Sequence, residues 1–242
     1  MLSLIKKEIN AFFSSLIGYL VVIVFLTLCG LFLWVFPGDY NILDTGYAGL
    51  DNLFILAPWV FMFLIPAVTM RILADEVKTG TFELLLTKPL SDFQIIFAKY
   101  LASIAIVLVA LIPTLVYYYS IYHLGQQVGN IDQGGTLGSY FGLLLLASCY
   151  CSIGIFSSSI TENQIVSFIL SLILCFIFLL GFDSIGSLGS YNFSNIMEQF
   201  GINMHYRAMS RGVIDTRDLI YFLGLIGFFL KATQLVLKSR KW

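Results

Sequence analysis

Residues 71–99 carry Arg71, Asp75, Glu76, Lys78, Glu83, Lys88, Asp92 and Lys99, charges of both signs set between two long apolar runs. Side chains of this kind either solvate a loop or form ion pairs with a partner protein. Composition allows both. Reactive chemistry has fewer candidates. Ser157, Ser158 and Ser159 have no histidine at the same depth to serve as a base, so nucleophilic hydrolysis is not expected. The two histidines, His123 and His205, fall outside the apolar runs and the four cysteines inside them, so no metal-ligand cluster forms. Cys29, Cys149, Cys151 and Cys175 read as small buried apolar side chains rather than disulfides or redox groups. No glycine is followed directly by lysine, which excludes a phosphate-binding loop of the G-x-x-x-x-G-K-[ST] type. The chain is not expected to be an enzyme or to hold a cofactor of its own.

The elements that must position these charges are membrane spans. The 242 residues are 59% hydrophobic and 11% charged, with a mean hydropathy of +0.91; soluble domains are roughly 25% charged. Six apolar stretches at about 16–36, 53–70, 98–122, 137–160, 165–182 and 218–237 are each long enough to cross a hydrocarbon core of about 30 Å. With both termini in the cytoplasm, Lys6, Lys7, Arg71, Lys78, Lys88, Lys99, Lys231, Lys238, Arg240 and Lys241 all fall inside, ten of the 13 basic residues. Outside remain Arg207, Arg211 and Arg217, while the outer loops 37–52 and 123–136 have no Lys or Arg. That asymmetry fixes the orientation, with residues 71–99 in the cytoplasm. The first apolar stretch is too long for a signal-peptide core and is followed by Phe-Pro-Gly-Asp rather than a small-residue cleavage pattern.

Ahead of it, Leu2, Ile5, Ile9, Phe12, Phe13 and Leu16 recur at helical spacing, with Lys6, Lys7, Glu8 and Asn10 on the other side. This predicts a helix over about 2–14 lying in the membrane interface, its lysines toward anionic headgroups; the competing reading is the frayed start of the first span. Within spans one to five no Asp, Glu, Lys, Arg or His occupies a central turn, and in span six Lys231 is near enough to an end to snorkel. No internal repeat stands out, so a proton- or sodium-driven transporter is not indicated. Gly134, Gly138 and Gly142 form a stripe for close helix packing, and the serines of spans four and five are expected to bond between helices. Pro58, Pro66 and Pro113 are expected to kink their helices, and Tyr117, Tyr118, Tyr119 and Tyr122 to form an interfacial belt. Residues 183–217 are too polar to cross and too apolar for a plain linker; a short external helix is expected over 204–212.

The stretch Arg71-Ile-Leu-Ala-Asp-Glu-Val-Lys-Thr-Gly-Thr-Phe-Glu-Leu-Leu-Leu-Thr-Lys-Pro-Leu-Ser resembles the signature of ABC-2 type permeases. Ser158-Ser-Ile-Thr-Glu-Asn-Gln-Ile, Ser210-Arg-Gly-Val-Ile-Asp-Thr-Arg-Asp-Leu and the ending Lys238-Ser-Arg-Lys-Trp fit the same family, most closely the gliding-motility permease subunit, the GldF-like branch. The resemblance implies a single all-α membrane domain over 1–242 with six transmembrane helices of the ABC-2, type V exporter-like fold, an amino-terminal interfacial helix and a short external helical segment between helices five and six. It implies a non-catalytic permease subunit in the bacterial inner membrane, served by two copies of an ABC ATPase that carry the ATP and Mg. A companion membrane subunit with a periplasmic domain, or a second copy of the chain, would complete the complex, and no nucleic acid is implied. The ATPase-coupling interface would comprise Arg71, Asp75, Glu76, Lys78, Gly80, Thr81, Phe82 and Glu83, together with Lys6, Lys7 and Glu8 of the interfacial helix. Export is the function implied; force transmission to periplasmic partners without solute transport, and a structural scaffold, are the alternatives.

Overall fold

The structure, a computed structural model, describes residues 1–81 and 91–239, and every regular element among them is helical. Six helices are long and apolar enough to cross a membrane: Leu16–Val35, Asp51–Lys78, Asp92–Leu124, Gln133–Ile160, Gln164–Gly186 and Thr216–Ser239. These are spans one to six. Five shorter helices accompany them: α1 (Leu2–Phe13), α2 (Ile42–Thr45), α3 (Ala74–Lys78, the continuation of span two), α4 (Tyr191–Phe200) and α5 (Ile202–Met209). Hydrogen bonds and ion pairs linking α1, α3, the start of spans three and five and the end of span four gather at one end of the bundle. We call it the α1 end; α2, α4 and α5 lie at the far end.

Span four is the central post. Of its most apolar stretch, 78% is buried against the rest of the chain, compared with 28%, 22% and 28% for spans one, five and six. It packs against spans two, three, five and six and against α5. Small residues make this possible. A Cβ on Gly142 would come within 2.6 Å of Met209 Cβ, one on Gly138 within 2.8 Å of Gly212 Cα, and one on Gly154 would overlap Thr69 Oγ1. Gly134, expected in the same stripe, is exposed with nothing nearer than Asp132 Oδ1 at 3.6 Å; Gly135 takes its place, its Cα lying where a Cβ on Gly212 would be. Helix periodicity explains the exchange. At about 100° per residue, seven residues return within about 20° of the starting face, whereas eight overshoot by about 80°.

Two further expectations are corrected by local hydrogen bonding. Most serines of span four do not bond between helices: Ser148, Ser152, Ser157 and Ser159 donate to Leu144, Cys149, Ile153 and Phe156 carbonyls of their own helix. In apolar surroundings a carbonyl three or four residues back is the nearest acceptor. Ser139 and Ser158 are the ones that reach other elements, Ser139 donating to Ser210 O as well as Gly135 O. Span three, expected from 98, begins at Asp92, because Ser91 and Gln94 form a capping box. Pro113 sits in a 3-10 turn, Ile112–Thr114, that divides span three, while Pro58 and Pro66 lie within the continuous helix Asp51–Thr69. The segment after span five holds two helices, α4 and α5, meeting at Gly201.

Candidate functional site

The regular helix of span two stops at Thr69, and residues 70–73 turn before α3 begins at Ala74. A break of this kind exposes orphan backbone groups, which must be answered inside an apolar bundle. Ser158 of span four answers three of them. Its hydroxyl donates to Met70 O at 3.0 Å and accepts from the N–H groups of Leu73 and Ala74, each at 3.0 Å. One donor and two acceptor lone pairs are the full capacity of a hydroxyl. Leu73, Ala74 and Ser158 are buried, so no water could replace it.

A fourth group, the Ile72 carbonyl, is met by Lys99 Nζ of span three at 3.0 Å. Lys99 has a fully buried side chain, at 0% exposure, yet three oxygens lie within 3.0 Å of its ammonium, Ile72 O among them. It donates to Glu8 Oε1 of α1 at 3.0 Å and lies 2.8 Å from Glu76 Oε2 of α3, a contact ion pair. Lys7 closes the group from the rim, 3.9 Å from Glu8 and 3.7 Å from Glu76. Two cations and two carboxylates form a neutral quartet that joins α1, α3 and span three. A buried lysine is tolerated on these terms, whereas removing one partner of such a cluster leaves a stranded charge and costs about 3–5 kcal/mol.

Two more ties fasten the same region. Arg71 Nη2 donates to Ser15 Oγ at 2.7 Å, between α1 and span one, and its guanidinium stands 5.6 Å from the Phe12 ring centroid. Asp75 of α3 accepts from the side-chain amide of Gln164 at the start of span five. A crevice of about 260 Å³ between α1 and spans two and three is lined by Lys7, Glu8, Arg71, Asp75, Glu76 and Ser103, among others.

The residues expected to face a partner therefore divide. Arg71, Asp75, Glu76 and Glu8 are spent within the chain, and Glu8 in particular turns inward from the polar side of α1 assigned to it. The pull is electrostatic: Lys99, read as a loop charge, is carried two turns into span three and needs a counter-ion there. Lys6, Lys7, Lys78, Gly80 and Thr81 are exposed at this end, with Gly80 in the left-handed region at φ +69° after α3. Phe82 and Glu83 lie outside the described residues. Sequence reasoning does not assign Lys99, Gln164 or Ser15 to this site and reads Ser158 as a nucleophile without a base, a packing serine and part of a family-like segment. For Lys99 the signal was present, since Ser-x-x-Gln at 91–94 marks the helix start.

The family profile described as ABC-2 family transporter protein matches residues 2–237. No curated protein matches the chain significantly. A match over nearly the whole length, on a bundle of six membrane-crossing helices, means that the chain belongs to the ABC-2 transporter family as a multi-pass membrane permease subunit.

Proposed function

We propose that the α1 end is the face on which a separate ABC ATPase docks, that this end is cytoplasmic, and that closure of the ATPase pair on ATP moves α1 and α3 as one body to drive export across a bacterial inner membrane. The observation that carries this reading is the quartet of Lys7, Glu8, Glu76 and Lys99 together with the Ser158 clamp. A push on the exposed Lys6, Lys78 or Thr81 is relayed to spans three and four through buried bonds rather than absorbed by a loose loop. Family membership implies an ABC ATPase partner. Two ATPase copies and a companion membrane subunit, or a second copy of the chain, complete the proposed assembly. Similarity of residues 210–219 to the gliding-motility branch supports a place in that machinery.

The test begins with the side of the membrane. All four native cysteines are buried, so Thr79→Cys gives a single accessible thiol. In intact cells it is expected to resist an impermeant maleimide and to react after permeabilisation. Labelling of intact cells overturns the orientation. In a reconstituted complex, Lys78→Glu combined with Lys6→Glu is expected to lower ATPase copurification and stimulation at unchanged membrane insertion, and undiminished stimulation removes this face from consideration.

A further inference from the structure

At the far end, α4 rests on the end of span five without fully burying a single residue, and its last turn is held by Phe182 against the Phe200 ring, by Tyr221 and by an unusual histidine. His205 of α5 has an acceptor at each ring nitrogen: Asp218 Oδ1 lies 2.7 Å from Nδ1 and the Gln199 carbonyl 3.0 Å from Nε2. A neutral imidazole carries one N–H and one lone pair, so it can satisfy one of these acceptors and must present a lone pair to the other. The imidazolium satisfies both. Its ring stacks on Tyr221 with centroids 4.0 Å apart and planes at 19°, and Tyr221 Oη in turn donates to the Phe200 carbonyl at 2.6 Å. Gln199 and Phe200 end α4, so the cation and the phenol answer two of its orphan carbonyls, at the helix terminus where positive charge is favoured.

The surroundings leave Asp218 as the charge that faces the ring. Span four, packed against α5, has no Asp, Glu, Lys, Arg or His over Gln133–Ile160. Of the carboxylates of neighbouring elements, Glu198 accepts from Ser194, and Asp183 accepts from Asn203 through Oδ2 while its buried Oδ1, beside Gly201, has no hydrogen-bond partner among the described residues. Arg207 on α5 and Arg217 beside Asp218 are exposed. α5 has its own permanent anchor. Tyr206 Oη donates to Phe54 O at 2.7 Å, and burial pushes its hydroxyl far above the ordinary phenol range, so that bond persists at any relevant pH.

We propose that His205 is a proton-operated latch that holds α4 against α5 and span six when the compartment at the far end is acidic. Loss of the proton removes one hydrogen bond and the charge pair with Asp218, releasing the end of α4 while Tyr206 keeps α5 in place. The sign follows from which form is bound: docking is complete when the ring is protonated and is lost when the proton leaves.

The experiment uses the purified full-length chain in lipid nanodiscs, with spin labels at Asn195→Cys on α4 and Tyr47→Cys just after α2, both exposed, over the buried native cysteines. At about pH 5 the distance distribution is expected to be narrow; at about pH 8 the docked-to-released ratio is expected to fall roughly tenfold or more. His205→Gln is expected to be released at both pH values, and His123→Gln to behave as the parent. An unchanged parent distribution between the two pH values, or a pH response that survives in His205→Gln, overturns the latch. No ATPase is present, so either result leaves the docking face of the α1 end untouched.

Discussion

The two ends of this permease are fastened by different chemistry. At the α1 end the joints are a quartet of lysines and glutamates and a hydroxyl used to capacity, each group with more than one contact. At the far end the end of α4 meets an imidazole whose two ring contacts are both hydrogen bonds only when the ring is protonated. Under the proposed coupling and latch, the contrast is between a joint that transmits displacement and one that can let go. Rigid transfer needs ties that fail only with the fold, while a releasable strap needs a tie weaker than the fold.

The largest break in this comparison is expected from Lys99→Met. It strands Glu8 and Glu76, and the loss in stability is expected to be about 3–5 kcal/mol, measured by denaturation in detergent. Adding Glu8→Gln and Glu76→Gln to the same variant should recover much of that loss, because no carboxylate is then left without a counter-ion. If the single variant is as stable as the parent, the buried quartet does not hold this end. Next comes Ser158→Ala, which leaves two N–H groups and a carbonyl unanswered; about 2 kcal/mol or more is expected, with faster proteolysis near residues 70–81 as the local readout. Gly138→Ala and Gly142→Ala should each cost about 1–3 kcal/mol by forcing span four away from the far-end helices, whereas Gly134→Ala should be neutral or stabilising by up to about 1 kcal/mol. Equal effects at 134 and 138 would contradict the exchange of Gly134 for Gly135.

The smallest effect sharpens the contrast by its sign. Asp215 caps the start of span six, where the backbone N–H of Arg217 at 2.9 Å, helped by Thr216, holds its carboxyl below the ordinary range. A lowered carboxylate contributes stability above its unfolded-state value and loses it as pH falls through the folded-state value. Acid should therefore loosen this turn while it tightens the His205 latch a few residues away. Hydrogen exchange at residues 213–217, corrected for intrinsic rates, should rise on acidification in the parent and be flat in Asp215→Asn.

Six spans, an amphipathic first helix and a helical segment before span six were legible because apolar run length and 3.6-residue periodicity are local properties. The use of the charges was not. Glu8 and Lys99 stand 91 residues apart, and nothing in either neighbourhood announces that they meet. Counting charges by segment placed Lys99 in a loop, although the Ser91 and Gln94 box would have carried it into the helix and raised the question of its counter-ion. The sequence does not show that Ser158 acts as a clamp, since what sets it apart is a break in another span. His205 was noticed as a metal-ligand candidate and set aside; its partners at 199 and 218 come from two other helices.

The quartet has a consequence for energetics across the membrane. Its two ammonium and two carboxylate groups sum to zero, so displacing them together moves no net charge through the electric field, which otherwise acts with about 2.3 kcal/mol per elementary charge per 100 mV. On the proposed coupling, the quartet therefore adds no voltage dependence of its own to the movement of that end.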